Sequence, residues 1–170
     1  MNPNLLISYN PNRRVSAERE IENVFQQIKE RPKFLNSTHP GVFKLRVRDP
    51  KAVVKKLNRL HQRKPDQFKV TCHYTPLDKW CKSSIKEMQR QVRKYDKVIK
   101  NKENWKMDLK KRRHRSRSNA VIMKLTQVIN KENVDLTSPK KVIRVELLGK
   151  DAGISLLSKG EFLNAAKRTS

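Results

Sequence analysis

The sequence predicts an α+β protein made of two small units. Three observations lead there. Hydrophobic spacing switches several times between a period of two and a helical period. Breaks bearing Pro, Asn or Gly separate those stretches. Apolar residues form 35% of the 170, enough for one or two small cores. No apolar run approaches the ~18 residues of a membrane span. The first nine residues lack the basic start of a secretory signal. Cys72 and Cys81 are the only cysteines and form no CxxC pair. They point to a reducing compartment: the cytoplasm, or the nucleus or nucleolus of a eukaryote.

Leu5-Leu6-Ile7-Ser8-Tyr9 reads as a strand closed by Asn10-Pro11-Asn12. Ser16 is positioned to cap a helix whose apolar stripe is Ala17, Ile21, Val24, Phe25 and Ile28, and Arg31-Pro32 stops it. From Val42 to Arg48 the period is two. Phe43, Leu45 and Val47 form a dry face, and Lys44, Arg46 and Arg48 a cationic one. Asp49-Pro50 opens a second helix with Val53, Val54, Leu57 and Leu60 inward. Phe68, Val70, Cys72 and Tyr74 then alternate as a third strand, with Cys72 on the core side. Strand-helix-strand-helix-strand within about 75 residues suits a ferredoxin-like layer, with both helices on one face.

Thr75-Pro76-Leu77-Asp78 reads as a junction. Beyond it, Ser84 and Glu87 form a capping box for a helix striped by Ile85, Met88, Val92, Tyr95 and Ile99. Trp105, Met107 and Leu109 alternate as a strand, and Trp80 and Trp105 are expected in the core. Ser118 is expected to cap a helix carrying Val121, Ile122, Leu125, Val128 and Ile129. Val142–Leu148 and 152–157 pair as a hairpin across Gly149-Lys150-Asp151. The expected divisions are residues 1–75, 76–160 and a tail, 161–170.

Charge sets the functional expectation. The chain carries 41 Lys and Arg against 16 Asp and Glu, a net +25. The excess is concentrated: residues 31–75 hold twelve basic residues against two acidic, and 106–118 hold seven against one. Such a field repels itself, and a phosphate backbone relieves it. The sharpest feature is Lys110-Lys111-Arg112-Arg113-His114-Arg115-Ser116-Arg117, placed between a strand and a helix start. There guanidinium forks and free helix N–H groups both suit phosphate. Its flanks are strongly patterned, which argues against the alternative of a disordered localisation signal. Lys44, Arg46 and Arg48 form a second candidate surface. Aromatic residues are 6% of the chain, and none clusters with basic residues along the sequence as a stacking platform. Recognition is therefore expected through backbone and shape.

Catalytic signals are weak. The four histidines are scattered, and four glycines allow no phosphate-binding loop. Cys72-His73 with Cys81 is a poor metal set. Asp135 reads as a turn residue rather than an acid catalyst. The expectation is no enzyme, no metal, no cofactor and no membrane. The competing readings are a ribosome-associated or general structured-RNA-binding protein, and an unknown enzyme using Cys81 or Asp135.

In the C-terminal half, Val134-Asp135-Leu136 with Pro139, then Val142-Ile143-Arg144-Val145-Glu146, then Ala152-Gly153-Ile154-Ser155 resembles the closing signature of the THUMP domain. That domain occurs in enzymes that thiolate, methylate, pseudouridylate or acetylate RNA. The Lys110–Arg117 stretch resembles its basic segment. Pro40-Gly41-Val42-Phe43 and Thr75-Pro76-Leu77-Asp78 resemble marks of the ferredoxin-like domain that usually precedes THUMP. The resemblance implies an N-terminal ferredoxin-like domain followed by a THUMP domain. With no residues after 170 for a catalytic domain, the chain resembles a stand-alone THUMP adaptor. Such an adaptor binds tRNA, at its acceptor region, for a separate tRNA cytidine acetyltransferase that makes N4-acetylcytidine. The RNA-contacting set the resemblance implies is Lys110, Lys111, Arg112, Arg113, Arg115 and Arg117. Lys106 and Arg144 are expected contacts on the flanking strands.

Overall fold

The computed structural model describes residues 1–114 and 116–166. The chain forms two compact units, Met1–Leu77 together with the segment from Gly160, and Asp78–Lys159.

In the first unit, β1 (Leu5–Tyr9), α1 (Arg14–Gln27), β2 (Lys33–Leu35), β3 (Val42–Arg46), α2 (Pro50–Arg63) and β4 (Thr71–Pro76) follow one another. The sheet order is β2-β3-β1-β4, extended by β9 (Leu163–Asn164), with every pairing antiparallel. This is the ferredoxin-like arrangement expected from the sequence. Leu5, Ile7 and Tyr9, Phe43 and Leu45, and Tyr74 bury one sheet face against Ile21, Val24 and Phe25 of α1 and Val54 and Leu57 of α2. The Asn4 amide takes the place of a strand pair: Nδ2 donates to the Val47 carbonyl at 2.7 Å, and Oδ1 accepts the Val47 N–H at 2.9 Å.

One strand is added here to those expected, and three local expectations are corrected. β2 has only three residues after Pro32, too short to show alternation in the sequence. Ser16 does not cap α1. A single 3-10 turn at Pro11–Arg13 leads straight into the helix, leaving Ser16 inside its first turn. Arg48 lies beyond the end of β3, so only Lys44 and Arg46 share that strand's outer face. Cys72 is half-buried rather than core, because the register of β1 and β4 shifts between Ser8 and Tyr9 and sets Thr71 opposite Tyr9. Thr71 takes the buried place, donating to the carboxylate of Glu20, which also accepts the N–H groups of Lys69, Val70 and Thr71.

The chain after Gly160, read from the sequence as a tail, returns to the first unit. Leu163 and Asn164 pair with Tyr74 and His73, and the Asn58 amide donates to the carbonyls of Gly160 and Phe162. A two-residue strand leaves no periodic signature. Residues 167–170 lie outside the described residues.

In the second unit, β5 (Lys79–Lys82), α3 (Ile85–Arg93), β6 (Trp105–Arg112), α4 (Ser118–Thr126), β7 (Lys141–Leu148) and β8 (Asp151–Leu157) form a sheet of order β5-β8-β7-β6. β6 and β7 are parallel, joined through α4, and the other pairs are antiparallel. Met88, Val92, Val121 and Leu125 of the helices pack on Trp105, Ile143, Val145 and Ile154. Ser84 caps α3 by accepting the Glu87 N–H. Three details differ from expectation. The expected junction is shorter than Thr75–Asp78: β4 takes in Thr75 and Pro76, and β5 begins at Lys79 as a short edge strand. Trp80 on it is half-buried, whereas Trp105 is 1% exposed. The cap position of α4 is Arg117, not Ser118, and no side chain accepts its first N–H groups.

A candidate nucleic-acid interface on the second unit

The basic run is not a loop throughout. β6 continues through Arg112, so Lys110, Lys111 and Arg112 stand on an edge strand and obey its alternation. Lys106, Asp108, Lys110 and Arg112 share the face turned away from α3 and α4. Met107 and Leu109 pack toward the core. Lys111 falls on the helix side, and its ammonium donates to the Ser116 carbonyl at 2.7 Å.

On the outer face the parallel register sets Asp108 beside Arg144 and Lys110 beside Glu146. Arg144, only 8% exposed, donates from Nε to Glu146 at 3.1 Å and from Nη1 to Asp108 at 2.9 Å. Glu146, 3% exposed, also accepts from Arg112 at 3.3 Å. Carboxylates and guanidiniums thus alternate across β6 and β7. Arg144 and Arg112 have their forks directed at protein carboxylates. Each charge satisfies its neighbour, which is the condition for keeping charges buried.

The remaining cations are unencumbered. Lys106, Lys110, Arg113 and Arg117 make no side-chain ion pair or hydrogen bond among the described residues, and the last three are exposed. Arg113 leaves the strand at φ 53°, a left-handed conformation that costs an arginine about 1–2 kcal/mol. Arg115 lies outside the described residues. Beyond Arg113 the chain enters α4, so strand end, turn and uncapped helix start follow one another. In an open α/β unit this is where anions bind. A groove of about 750 Å³ along α4 is lined by Lys111, Arg117, Ser118, Met123 and Lys124.

Lys44 is half-buried and Arg46 exposed on β3, with Leu6 beside Lys44 in register, so that face is mixed rather than wholly cationic. Arg48 is exposed in the turn before α2. The larger basic surface of the first unit is on α2, where Arg59 and Arg63 are exposed without partners among the described residues. Its helical spacing was visible in the sequence.

The groups proposed for catalysis are not activated. Burial, reinforced by Glu87, pushes the Cys81 thiol above its ordinary value, the opposite of a nucleophilic thiolate. Asp135 accepts the N–H groups of Ser138 and Thr137 and the Asn104 amide. These bonds hold it below the usual carboxylate range as a turn anchor. Among the described residues no three His, Cys, Asp or Glu side chains gather as a metal site, and no helix is long and apolar enough to cross a membrane.

Comparison with known proteins places the second unit. The family description "THUMP domain" matches residues 82–157. No curated protein matches the sequence significantly. Among solved structures, the chain is similar to PH1313 from Pyrococcus horikoshii OT3, at 17% identity over 93% of this chain and 55% of that one, TM-score 0.60. It is similar to TrmN from Thermus thermophilus, at 11% identity over 89% and 44%, TM-score 0.57. It is also similar to a 4-thiouridine synthetase solved in complex with RNA and bound ATP, at 14% identity over 96% and 42%, TM-score 0.55. The chain spans about half the length of these structures, and identities this low establish the fold alone. The matched residues, 82–157, fill the second unit, 78–159: that unit of this chain is a THUMP domain.

Proposed function

We propose that this protein binds tRNA through its THUMP domain and presents it to a separate modifying enzyme, the cytidine N4-acetyltransferase. The observation that carries the reading is the separation of cations at the end of β6. Arg112 and Arg144 are held by Glu146 and Asp108, while among the described residues Lys110 on the outer face of β6, and Arg113 and Arg117 on the segment leading into the uncapped start of α4, make no ion pair or hydrogen bond. Free, clustered guanidinium and ammonium groups on a firm scaffold contact phosphates and fix register. The net charge of +25 supports a polyanionic partner. The 4-thiouridine synthetase, which shares the fold, was solved with RNA, and this supports assigning the same ligand class here.

The test is the salt dependence of tRNA binding by the full chain. Replacing Lys110, Arg113 and Arg117 by Gln removes up to three phosphate contacts and should flatten the log–log salt slope by about two to three. An unchanged slope would place the site elsewhere. Equal affinity for tRNA and a plain duplex of the same length would make the protein a general binder. For the partner, nucleoside analysis of cells lacking the protein should show loss of N4-acetylcytidine from tRNA; retention would refute the adaptor role.

A further inference from the structure

The few aromatic residues do converge in space, in the first unit, where the sequence disperses them. Tyr9 stacks on Phe43 with centroids 4.3 Å apart, and Phe34 meets Phe43 edge-on at 5.4 Å. The Arg14 guanidinium lies 5.8 Å from the Phe43 ring centre. Together with the loop of residues 36–40 they line a cleft of about 620 Å³, which also takes in Glu18, one helical turn beyond Arg14.

The cleft is built rather than incidental. Gly41 turns the loop back at φ 83°, where a Cβ would come within 3.3 Å of the Tyr9 carbonyl oxygen, and the Tyr9 N–H donates to the Gly41 carbonyl at 2.9 Å. Ser37 Oγ donates to the Val42 carbonyl at 2.9 Å, pinning the loop's other arm. Tyr9 and Phe43 are buried, so the ring with surface to offer is half-buried Phe34. Glu18 is half-buried and has no ion pair or hydrogen bond among the described residues, in a chain of net charge +25.

We propose that this cleft binds one guanine base, presented by an unpaired nucleotide of RNA. The base lies against Phe34, and its N1–H and N2 amino group donate to the Glu18 carboxylate. A carboxylate only accepts hydrogen bonds. Guanine alone among the four bases offers two adjacent donors on its pairing edge. Unpaired bases are read by stacking and by that edge, and the π-face of Phe34 with Arg14 alongside supplies the stacking surface. The inference goes beyond backbone recognition by the THUMP domain and rests on that reading only for the source of the base.

The experiment measures binding of labelled pentamers UUGUU, UUIUU (inosine, lacking the N2 amino group) and UUAUU to the full chain at one salt concentration. The wild type should prefer guanine over inosine and adenine by about tenfold or more, since a site built to accept a donor rejects the analogue lacking it. E18Q should bring that ratio close to one while leaving the salt slope unchanged. F34A should weaken all three by about tenfold. Because Phe34 also packs on Phe43, E18Q is the deciding variant. Equal binding of the three pentamers by the wild type, or a preference that survives E18Q, overturns the proposal. Unlabelled GMP competing as well as unlabelled UUGUU would overturn the assignment to an RNA strand. A salt slope left unchanged in the Lys110, Arg113 and Arg117 variant, with the guanine preference intact, would refute the THUMP interface and leave this cleft standing.

Discussion

Glu146 is the residue on which the candidate interface depends. The residue is 3% exposed, and its carboxylate faces two guanidiniums, Arg144 at 3.0–3.1 Å and Arg112 at 3.3 Å. Glu146→Ala leaves Arg144, itself 8% exposed, with Asp108 as its remaining carboxylate. Breaking a buried pair by removing one partner costs about 3–5 kcal/mol, and the more exposed Arg112 pair adds at most about 1. Trp80 and Trp105 are the only tryptophans and both belong to the second unit, so tryptophan fluorescence in urea follows that unit selectively. With a slope of about 1–1.5 kcal/mol per molar for a unit of this size, the midpoint should fall by about 2–6 M. Because that loss is comparable to the whole stability of a small unit, Glu146→Gln, which keeps a carbonyl acceptor for Arg144, serves as the intermediate case. The control is a double replacement by apolar residues, Arg144→Met with Glu146→Leu. It removes both charges and should recover most of the loss. A midpoint shift of Glu146→Ala below about 0.5 M, or a double variant as unstable as Glu146→Ala, would show that the pair is not buried in the sense argued.

Two further outcomes follow from local geometry. Lys29 ends α1 at φ 58° while the Glu30 N–H reaches back to the Phe25 carbonyl at 3.0 Å, a helix end suited to glycine. Lys29→Gly should stabilise the first unit by about 0.5–1 kcal/mol, raising its melting temperature by a few degrees in circular dichroism; a lower melting temperature would refute the strain argument. Asp135 is held below its usual range chiefly by the N–H groups of Ser138 and Thr137. A depressed carboxylate supports the fold above its ordinary value and ceases to as pH falls through the lowered one. The amide resonances of Thr137 and Ser138 should therefore titrate together in NMR spectra, with a midpoint below that of an unperturbed Asp. A midpoint at the ordinary value would show that the turn is not held this way.

What was legible in the sequence was whatever repeats along it. The alternation of Val42–Arg46 and Trp105–Leu109, the stripes of α2 and α3, and the caps at Asp49 and Ser84 are set by neighbours within a turn or a strand. These gave the order of elements, from which the ferredoxin-like sheet follows. What was not legible depends on partners distant in sequence. The strands at 33–35 and 163–164 exist because β3 and β4 offer edges to them, not because three or two residues prefer extension. Cys72 lost its core place to a register shift set by β1.

The same distinction divides the functional residues. The run 110–117 announces a cationic surface, but sequence cannot say which cations are free. That is decided by Glu146, thirty-four residues from Arg112, and by Asp108, thirty-six from Arg144. Seen along the chain, the run is one uniform patch. Seen across β6 and β7, it has a neutralised base that fixes geometry, and a tip whose Arg113 and Arg117 make no ion pair or hydrogen bond among the described residues. The aromatic cleft is the sharper case. Tyr9, Phe34 and Phe43 lie in three different strands with Arg14 in a helix, and the ferredoxin-like topology alone brings them together. Along the sequence the aromatics are too few and too dispersed for stacking; in the fold three rings meet at a single cleft with Glu18, a carboxylate that has no partner among the described residues. The phosphate contact proposed for the THUMP domain would carry no base identity, so base specificity would have to come from a site of that second kind.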